Sequence, residues 1–264
     1  LLMGWARRYE TFLSQHAGVV LLNAYTAAAF ECMKFGVPAM APDIPGRDPD
    51  FVVVGTGRSG TMFLARALVS QGIHCGHESF FSASGVNRFG PLPLWERLPR
   101  IGDSSWLAPV YLEQDRTLCS GPVLHQVRHP LSVINSLLGM GFLNVQADTP
   151  WHRFAARHFP LSGEAIPDAM AWWTEWNRRC AAVADTTYRV EDLEQALPTV
   201  LGMIGAPDGA AAGAEKVGEL AGERINAQGR TRLTLDDLPD GASKRALVAL
   251  ARDYGYDPAR PEGV

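Results

Sequence analysis

A glycine-rich turn near the start of the clearly patterned part of the chain contains residue types that bind anions. It comprises residues 55–61, with the sequence GTGRSGT. Glycines let an anion approach the backbone closely, Arg58 adds a fixed positive charge, and the hydroxyls of Ser59 and Thr61 are hydrogen-bond donors. These residues predict the binding of a phosphate or a similar oxyanion.

The segments on either side of this turn should position it between a strand and a helix. Four apolar residues, 51–54, lead into the turn, and apolar residues then recur at helical spacing through position 68. In a strand–turn–helix unit, the free N–H groups of the first helical turn point at one spot, where the helix dipole adds positive charge. The segment 51–68 therefore predicts a phosphate-binding loop at the end of a buried strand.

A second segment, residues 123–138, has the same organisation. VLHQV predicts a strand, Arg128 stands at its end, Pro130 marks the turn, and LSVINSLL predicts a helix. Arg128 and Ser136, about two helical turns into that helix, are expected to converge on a second phosphate. Two phosphate sites at the ends of parallel strands suit a nucleotide that is phosphorylated at both ends.

Two other nucleotide-binding loops compete with this interpretation. A triphosphatase loop has the separation of Gly55 and Gly60, but it requires a lysine where this chain has Thr61. The dinucleotide fingerprint GxGxxG also fits, and Glu78 lies about 20 residues on, where a ribose-binding acid is expected. The segment before that acid, GIHCGH, lacks the apolar run of a second parallel strand. An NAD-dependent oxidoreductase and a non-catalytic nucleotide-binding module remain the alternatives.

The order of these motifs resembles the sulfotransferases that use 3'-phosphoadenosine-5'-phosphosulfate (PAPS). GTGRSGT looks like the family's 5'-phosphosulfate loop in its arginine form, and RHPLSVINS looks like its 3'-phosphate motif. The resemblance continues in GHESFF, WWTEWN, YRVEDL and LARDYGYD and covers residues 51 to 257. It implies sulfuryl transfer from PAPS to a hydroxyl or amine acceptor, with no metal required.

The resemblance also implies roles for individual residues. Glu78 would be the catalytic base, with His77 as the alternative, and Arg58 would stabilise charge on the bridging oxygen as the sulfuryl group leaves. A C-terminal loop with basic residues would close over the 3' end of the cofactor. The implied cofactor-binding residues are Gly57, Arg58, Ser59, Gly60, Thr61, Met62, Arg128, Ser136 and Arg230.

Composition narrows the class of protein and of partner. The 264 residues include 47% hydrophobic and 20% charged residues, as in an ordinary globular enzyme. A net charge of −4 without a basic stripe argues against nucleic acid as a partner. Four scattered cysteines favour reduced thiols in a cytoplasmic protein over a disulfide framework or a zinc site. The expected partners are a small-molecule or glycan acceptor.

The sequence predicts two regions, residues 1–50 and residues 51–264. The first is expected to be a helical arm followed by a linker. Its apolar run is interrupted and too short for a membrane span, and FECMKFGVPAMAP faintly resembles a glycosyltransferase segment, which hints at a carbohydrate or glycolipid acceptor. Residues 51–264 predict an α/β domain, a three-layer sandwich with a central parallel sheet. Within it, residues 82–121 are expected to be mostly loop. Glu191 and Asp192 are expected to be acids at a helix N-terminus.

Overall fold

The computed structural model describes residues 48–83, 85–86, 100–206 and 233–260. Residues 1–47 of the predicted N-terminal arm lie outside the described residues, and so does Arg230. No helix in the described ranges is long and apolar enough to cross a membrane.

The centre of the described fold is a parallel sheet of five strands in the order β2-β5-β1-β6-β7. A short antiparallel pair, β3 with β4, follows the edge strand β2. In chain order, the strands are β1 (Phe51–Gly55), β2 (His74–His77), β3 (Phe81–Ser82), β4 (Gly85–Val86), β5 (Ile101–Ser105), β6 (Val123–Val127) and β7 (Thr186–Arg189).

In the described ranges, helices lie in the connections from β1 to β2, from β5 to β6 and from β6 to β7. Proline occupies an early position of α2, α3 and α4, where its missing N–H removes no helical hydrogen bond. Short 3₁₀ turns lie at Arg116–Leu118 and Val190–Asp192. The described α-helices are α1 (Thr61–Ser70), α2 (Ala108–Leu112), α3 (Pro130–Met140), α4 (Pro150–His158), α5 (Ala165–Val183), α6 (Leu193–Met203) and α7 (Ala242–Asp253).

The two faces of the sheet are buried under different sets of helices. Phe51 and Val53 of β1 pack with α1 and α6, whereas Val52 and Val54 pack with α2, α3, α5 and α7 on the opposite face. Successive side chains of a strand point to opposite faces, so an all-apolar strand such as β1 contributes to both cores. The predicted three-layer α/β fold with a central parallel sheet is therefore confirmed.

Two local expectations are wrong. Residues 74–77 form the parallel strand β2 although they lack an apolar run, because β2 is a short strand at the edge of the described sheet, where it pairs with β5 alone. Residues 101–105, within the segment expected to be loop, form the interior strand β5. Two of its polar residues, Asp103 and Ser105, form hydrogen bonds to the turn after β2, and a third, Ser104, is buried with no partner for its Oγ among the described residues. A strand with buried polar residues cannot be predicted from a run of hydrophobic residues.

The strand order also separates this fold from the dinucleotide-binding arrangement. In that arrangement, the second strand along the chain lies directly beside the first, and its acidic residue reaches the ribose. Here β5 lies between β1 and β2, and Glu78 follows β2 at the edge of the sheet. The GxGxxG spacing therefore lacks the strand neighbour on which the NAD interpretation depends.

Candidate functional site

The loop of residues 55–61 connects β1 to α1; one of its glycines is required by close contacts and another by its backbone conformation. A Cβ atom on Gly55 would lie 2.4 Å from Oγ of Ser59 and 2.7 Å from the carbonyl oxygen of Gln126. Gly60, the N-cap of α1, has a φ of 95° and leaves the helix without a side-chain cap. The loop is therefore tightly closed, and the start of α1 is left open.

Backbone N–H groups at this helix start are available as anion donors. Ser59 donates its N–H to the carbonyl of Thr56 at 3.1 Å, so that donor is used within the turn. The N–H groups of Thr61 and Met62 belong to the first helical turn and have no intrahelical acceptor. The positive end of the α1 dipole adds to them. The N–H of Ser59, a residue predicted to bind the cofactor, is therefore not free to bind a phosphate.

The two hydroxyl side chains of the loop have other surroundings than expected. Ser59 is fully buried beneath the loop, and its Oγ has no hydrogen-bond partner among the described residues. Thr61 is also buried, and its Oγ1 lies 3.1 Å from Nε2 of His77 in a hydrogen bond. Thr61 therefore links the start of α1 to the end of β2.

Arginines from the ends of two adjacent strands meet beside this helix start. Nη1 of Arg128, which follows β6, donates to the carbonyl of Arg58 at 3.1 Å. Nε of Arg58 donates to Oγ of Ser136 on α3 at 2.8 Å. The structure thus brings Arg58, Arg128 and Ser136 into one cluster, with the strand ends of β1 and β6 as its base.

Neither guanidinium in this cluster has a carboxylate within 4 Å among the described residues. Burial lowers the pKa of Arg58, and the nearby charge of Arg128 lowers it further, while Glu78 raises it. Burial also lowers the pKa of Arg128, against the opposing effects of Glu191 and Tyr256. Arginine nevertheless stays protonated. Two partly buried positive charges without a carboxylate within 4 Å in the described ranges favour the binding of anions beside the start of α1.

The backbone beside Arg128 is held by residues that are distant in sequence. The N–H of His129 donates to Oε1 of Glu191 at 2.9 Å, and the hydroxyl of Tyr256 donates to Oε2 of the same carboxylate at 2.7 Å. Nε1 of Trp173 donates to the carbonyl of Arg128 at 3.0 Å. Glu191 therefore acts through tertiary hydrogen bonds, which the expectation of a helix-terminal acid missed, and Asp192 forms an ion pair with Arg189.

Glu78 and His77 lie at the end of the edge strand rather than in a free loop. His77 is the last residue of β2, and its Nε2 lies 3.5 Å from Oε1 of Glu78. Glu78 is 8% exposed and has a φ of 54°, so its backbone is in the left-handed region. Arg58, with a φ of 73°, is the other described non-glycine residue with a positive φ. Strained backbone of this kind concentrates at functional sites.

One buried carboxylate beside this site was not identified from the sequence. Asp103 of β5 accepts hydrogen bonds from the N–H groups of Ser79, Phe80 and Phe81, the three residues that follow Glu78. Burial raises the pKa of Asp103 to about 7, and the nearby charge of Glu78 adds to this rise. The hydrogen bonds from the three N–H groups act in the opposite direction and lower the pKa. In the sequence, Asp103 is a single acidic residue in a segment predicted to be mostly loop, so nothing there indicated a buried carboxylate.

These groups can bind an oxyanion at the start of α1, neutralise negative charge with Arg58 and Arg128, and accept a proton with Glu78 or His77. The described residues contain no group of three or more His, Cys, Asp or Glu side chains that could hold a metal ion. The free N–H groups at the start of α1, the two arginines and the proton acceptor suit the displacement of a group from a phosphate-bearing donor by positioning and charge stabilisation.

A search of solved structures finds similar chains at low sequence identity and low TM-score. The crystal structure of mouse sulfotransferase SULT7A1 complexed with PAP shares 14% identity at a TM-score of 0.40, over 88% of this chain and 91% of that one. The sulfotransferase domain of the Synechococcus PCC 7002 olefin synthase shares 13% identity at a TM-score of 0.42, over 84% and 99%. No family model and no curated protein matches the chain. The function of this chain therefore has to rest on the geometry of its own site.

Proposed function

We propose that this chain is a sulfotransferase that moves a sulfuryl group from PAPS to a hydroxyl or amine acceptor. The meeting of Arg58 and Arg128 carries the proposal, because both guanidinium groups lack a carboxylate within 4 Å in the described part of the chain. One arginine comes from the glycine-rich loop and the other from the neighbouring strand end, as binding of two separate phosphates on one nucleotide requires.

The donor fits these residues in the following way. The N–H groups of Gly57, Arg58, Gly60, Thr61 and Met62 would bind the 5'-phosphate at the open start of α1. Arg128, with Ser136, would bind the 3'-phosphate, and the role predicted for Arg230 there concerns a residue outside the described ranges. A 3'-phosphate site would distinguish PAPS from ATP.

The transfer is an in-line displacement at sulfur. The acceptor oxygen forms a bond to sulfur while the bond from sulfur to the bridging oxygen of the 5'-phosphate breaks. The electron pair of that bond stays on the bridging oxygen, where Arg58 stabilises the charge, and the 3',5'-bisphosphate PAP leaves. Glu78 takes the proton of the acceptor hydroxyl.

Glu78 is favoured over His77 as the base by their contacts. Nε2 of His77 is already in a hydrogen bond with Oγ1 of Thr61 and lies 3.5 Å from the Glu78 carboxylate. His77 is therefore better placed to orient Glu78 against α1 than to receive a proton itself. The proposed acceptor class, a carbohydrate or glycolipid, rests on residues 30–42, outside the described residues.

A thermal-unfolding panel tests this function without knowledge of the acceptor. PAP, Mg-ATP and NAD are added separately to the wild type, to Arg58→Met and to the control Arg116→Met, whose arginine is paired with Asp185 at the other end of β6. At about 100 times its dissociation constant, a ligand stabilises by roughly 2.7 kcal/mol.

We expect PAP alone to raise the unfolding temperature of the wild type and of Arg116→Met, and Arg58→Met to lose most of that shift. Stabilisation by NAD, or none by PAP, would refute the sulfotransferase proposal. Stabilisation by PAP without conversion of PAPS on addition of a range of hydroxyl and amine acceptors would favour the non-catalytic binding module instead.

A further inference from the structure

Asp103 controls the backbone that follows Glu78. Its side chain has no exposed surface. Oδ1 accepts the N–H of Ser79 at 3.0 Å, and Oδ2 accepts the N–H groups of Phe80 at 3.1 Å and Phe81 at 3.2 Å. Hydrogen bonds to a carboxylate are shorter and stronger than neutral ones, so three consecutive bonds define the path of this turn.

Glu78 itself is held in a conformation that its own backbone disfavours. A φ of 54° places it in the left-handed region, which costs a non-glycine residue about 1–2 kcal/mol. Its N–H donates to the carbonyl of Ser104 on β5 at 3.2 Å, immediately beside Asp103. The residue is therefore anchored to β5 on its N-terminal side by Ser104 and on its C-terminal side by Asp103. Such strain persists only where the surroundings over-determine the conformation.

The approach of Asp103 to this turn depends on a glycine in β2. A Cβ atom on Gly76 would lie 3.0 Å from Oδ1 of Asp103 and 2.8 Å from Cβ of Ser79. Without a side chain at position 76, the carboxylate can reach the turn across the edge strand. Gly76, Asp103 and the turn thus form one packed unit behind Glu78.

We propose that Asp103 is a positioning residue, which holds the turn of residues 78–81 so that the Glu78 carboxylate stays directed toward Arg58 and the acceptor. This inference rests on the proposed function, in which Glu78 accepts the acceptor proton. Asp103 contacts neither donor nor acceptor and acts through Glu78 alone. Its loss should therefore affect proton transfer and leave PAP binding in place.

The test compares Asp103→Asn with Glu78→Gln and with the double variant, using PAPS as the probe and water as the acceptor. Asparagine places an amide donor against the backbone donors and so releases the turn. Conversion of PAPS to PAP and sulfate at saturating PAPS should slow by about 100-fold in Glu78→Gln and by about tenfold or more in Asp103→Asn. The dissociation constant of PAP should change by less than about twofold in both.

Non-additivity separates a positioning role from a merely structural one. If Asp103 acts through Glu78, the double variant should be no slower than Glu78→Gln. Asp168→Asn is the matched control, because Asp168 is also buried and accepts the N–H groups of Ser162 and Gly163, at 2.8 and 2.9 Å, in a different turn before α5. It should lose stability and keep the wild-type rate. If Asp103→Asn does not fold, Asp103→Ser removes the carboxylate without an added amide donor and serves the same test.

The outcomes distinguish this inference from the proposed function. A wild type that neither binds PAP nor converts PAPS overturns the proposed function and this inference with it. A wild type that does both, with an Asp103→Asn variant at the wild-type rate, overturns the inference alone. The same holds if the two substitutions multiply fully in the double variant.

Discussion

Replacing Arg128 by methionine should weaken binding of the 3'-phosphate and of nothing else. Methionine keeps most of the apolar volume and removes a charge that has no carboxylate within 4 Å in the described ranges. The variant loses the 3.1 Å hydrogen bond to the Arg58 carbonyl and also the repulsion between the two guanidinium groups. These effects oppose each other, so the free energy of unfolding without ligand should change by no more than about 1 kcal/mol.

The expected loss of affinity follows from the surroundings of Arg128. Removing one partner of a desolvated charge pair costs about 2–5 kcal/mol, which corresponds to a factor of roughly 30 to 4,000 in the dissociation constant of PAP. Adenosine 5'-monophosphate lacks the 3'-phosphate, so its affinity should fall by less than about threefold. The difference between the two ligands isolates the contribution of the 3'-phosphate.

Titration calorimetry with both nucleotides, on the wild type and on Arg128→Met, measures this cycle. Arg116→Met is again the control, since its arginine lies at the other end of β6 and should not affect either ligand. Equal losses for the two nucleotides would refute the assignment of Arg128 to the 3'-phosphate. Its effect would then pass through the carbonyl of Arg58 into the glycine-rich loop.

Three further predictions concern the strained backbone, the loop and the buried histidine. Because Glu78 has a φ of 54°, Glu78→Gly should be more stable to urea than Glu78→Ala by about 1 kcal/mol; equal stabilities would contradict the strain. A Cβ atom on Gly57 would lie 2.8 Å from Cζ of Phe142, so Gly57→Ala should cost about 1–3 kcal/mol, whereas Gly202→Ala, with no atom within 4 Å, should cost nothing in the same denaturation assay. Burial lowers the pKa of His125 to about 4, so the unfolded chain takes up its proton first and this contribution to stability is lost as pH falls from about 6.5 to 4. Between pH 6.5 and 4, the free energy of unfolding of His125→Gln, measured by urea denaturation, should fall by up to about 3 kcal/mol less than that of the wild type. An equal fall in both proteins would show that His125 is not the cause.

Local patterns in the sequence were sufficient for the elements that carry the phosphate-binding residues. β1 and β6 are buried strands that show as apolar runs, and each ends in a loop with an arginine before a helix. The helix predicted after the glycine-rich turn is observed as α1, and the helix predicted after Pro130 is observed as α3. These elements were predictable because their hydrophobic period matches their own geometry.

The polar strands could not be predicted from the same signal. β5 contains Asp103, Ser104 and Ser105, all fully buried, and β2 contains two histidines. The burial of Asp103 and Ser105 is favourable because the turn after β2 supplies donors to Asp103 and accepts a hydrogen bond from Ser105, whereas the Oγ of Ser104 has no hydrogen-bond partner among the described residues. Those partners lie more than twenty residues away along the chain.

By itself, the sequence determined the α/β class, the glycine-rich loop at residues 55–61 and the candidates Arg58, Arg128 and Ser136, since residue type and local period specify each of them, whereas Glu78 was a candidate through the family resemblance. Only the tertiary structure decided that Arg58 contacts both Arg128 and Ser136, that β5 separates β1 from β2, and that Asp103 lies behind Glu78. The physical reason is that strand order and long-range hydrogen bonds depend on the partners of a residue, and the partners are not encoded in its immediate neighbours.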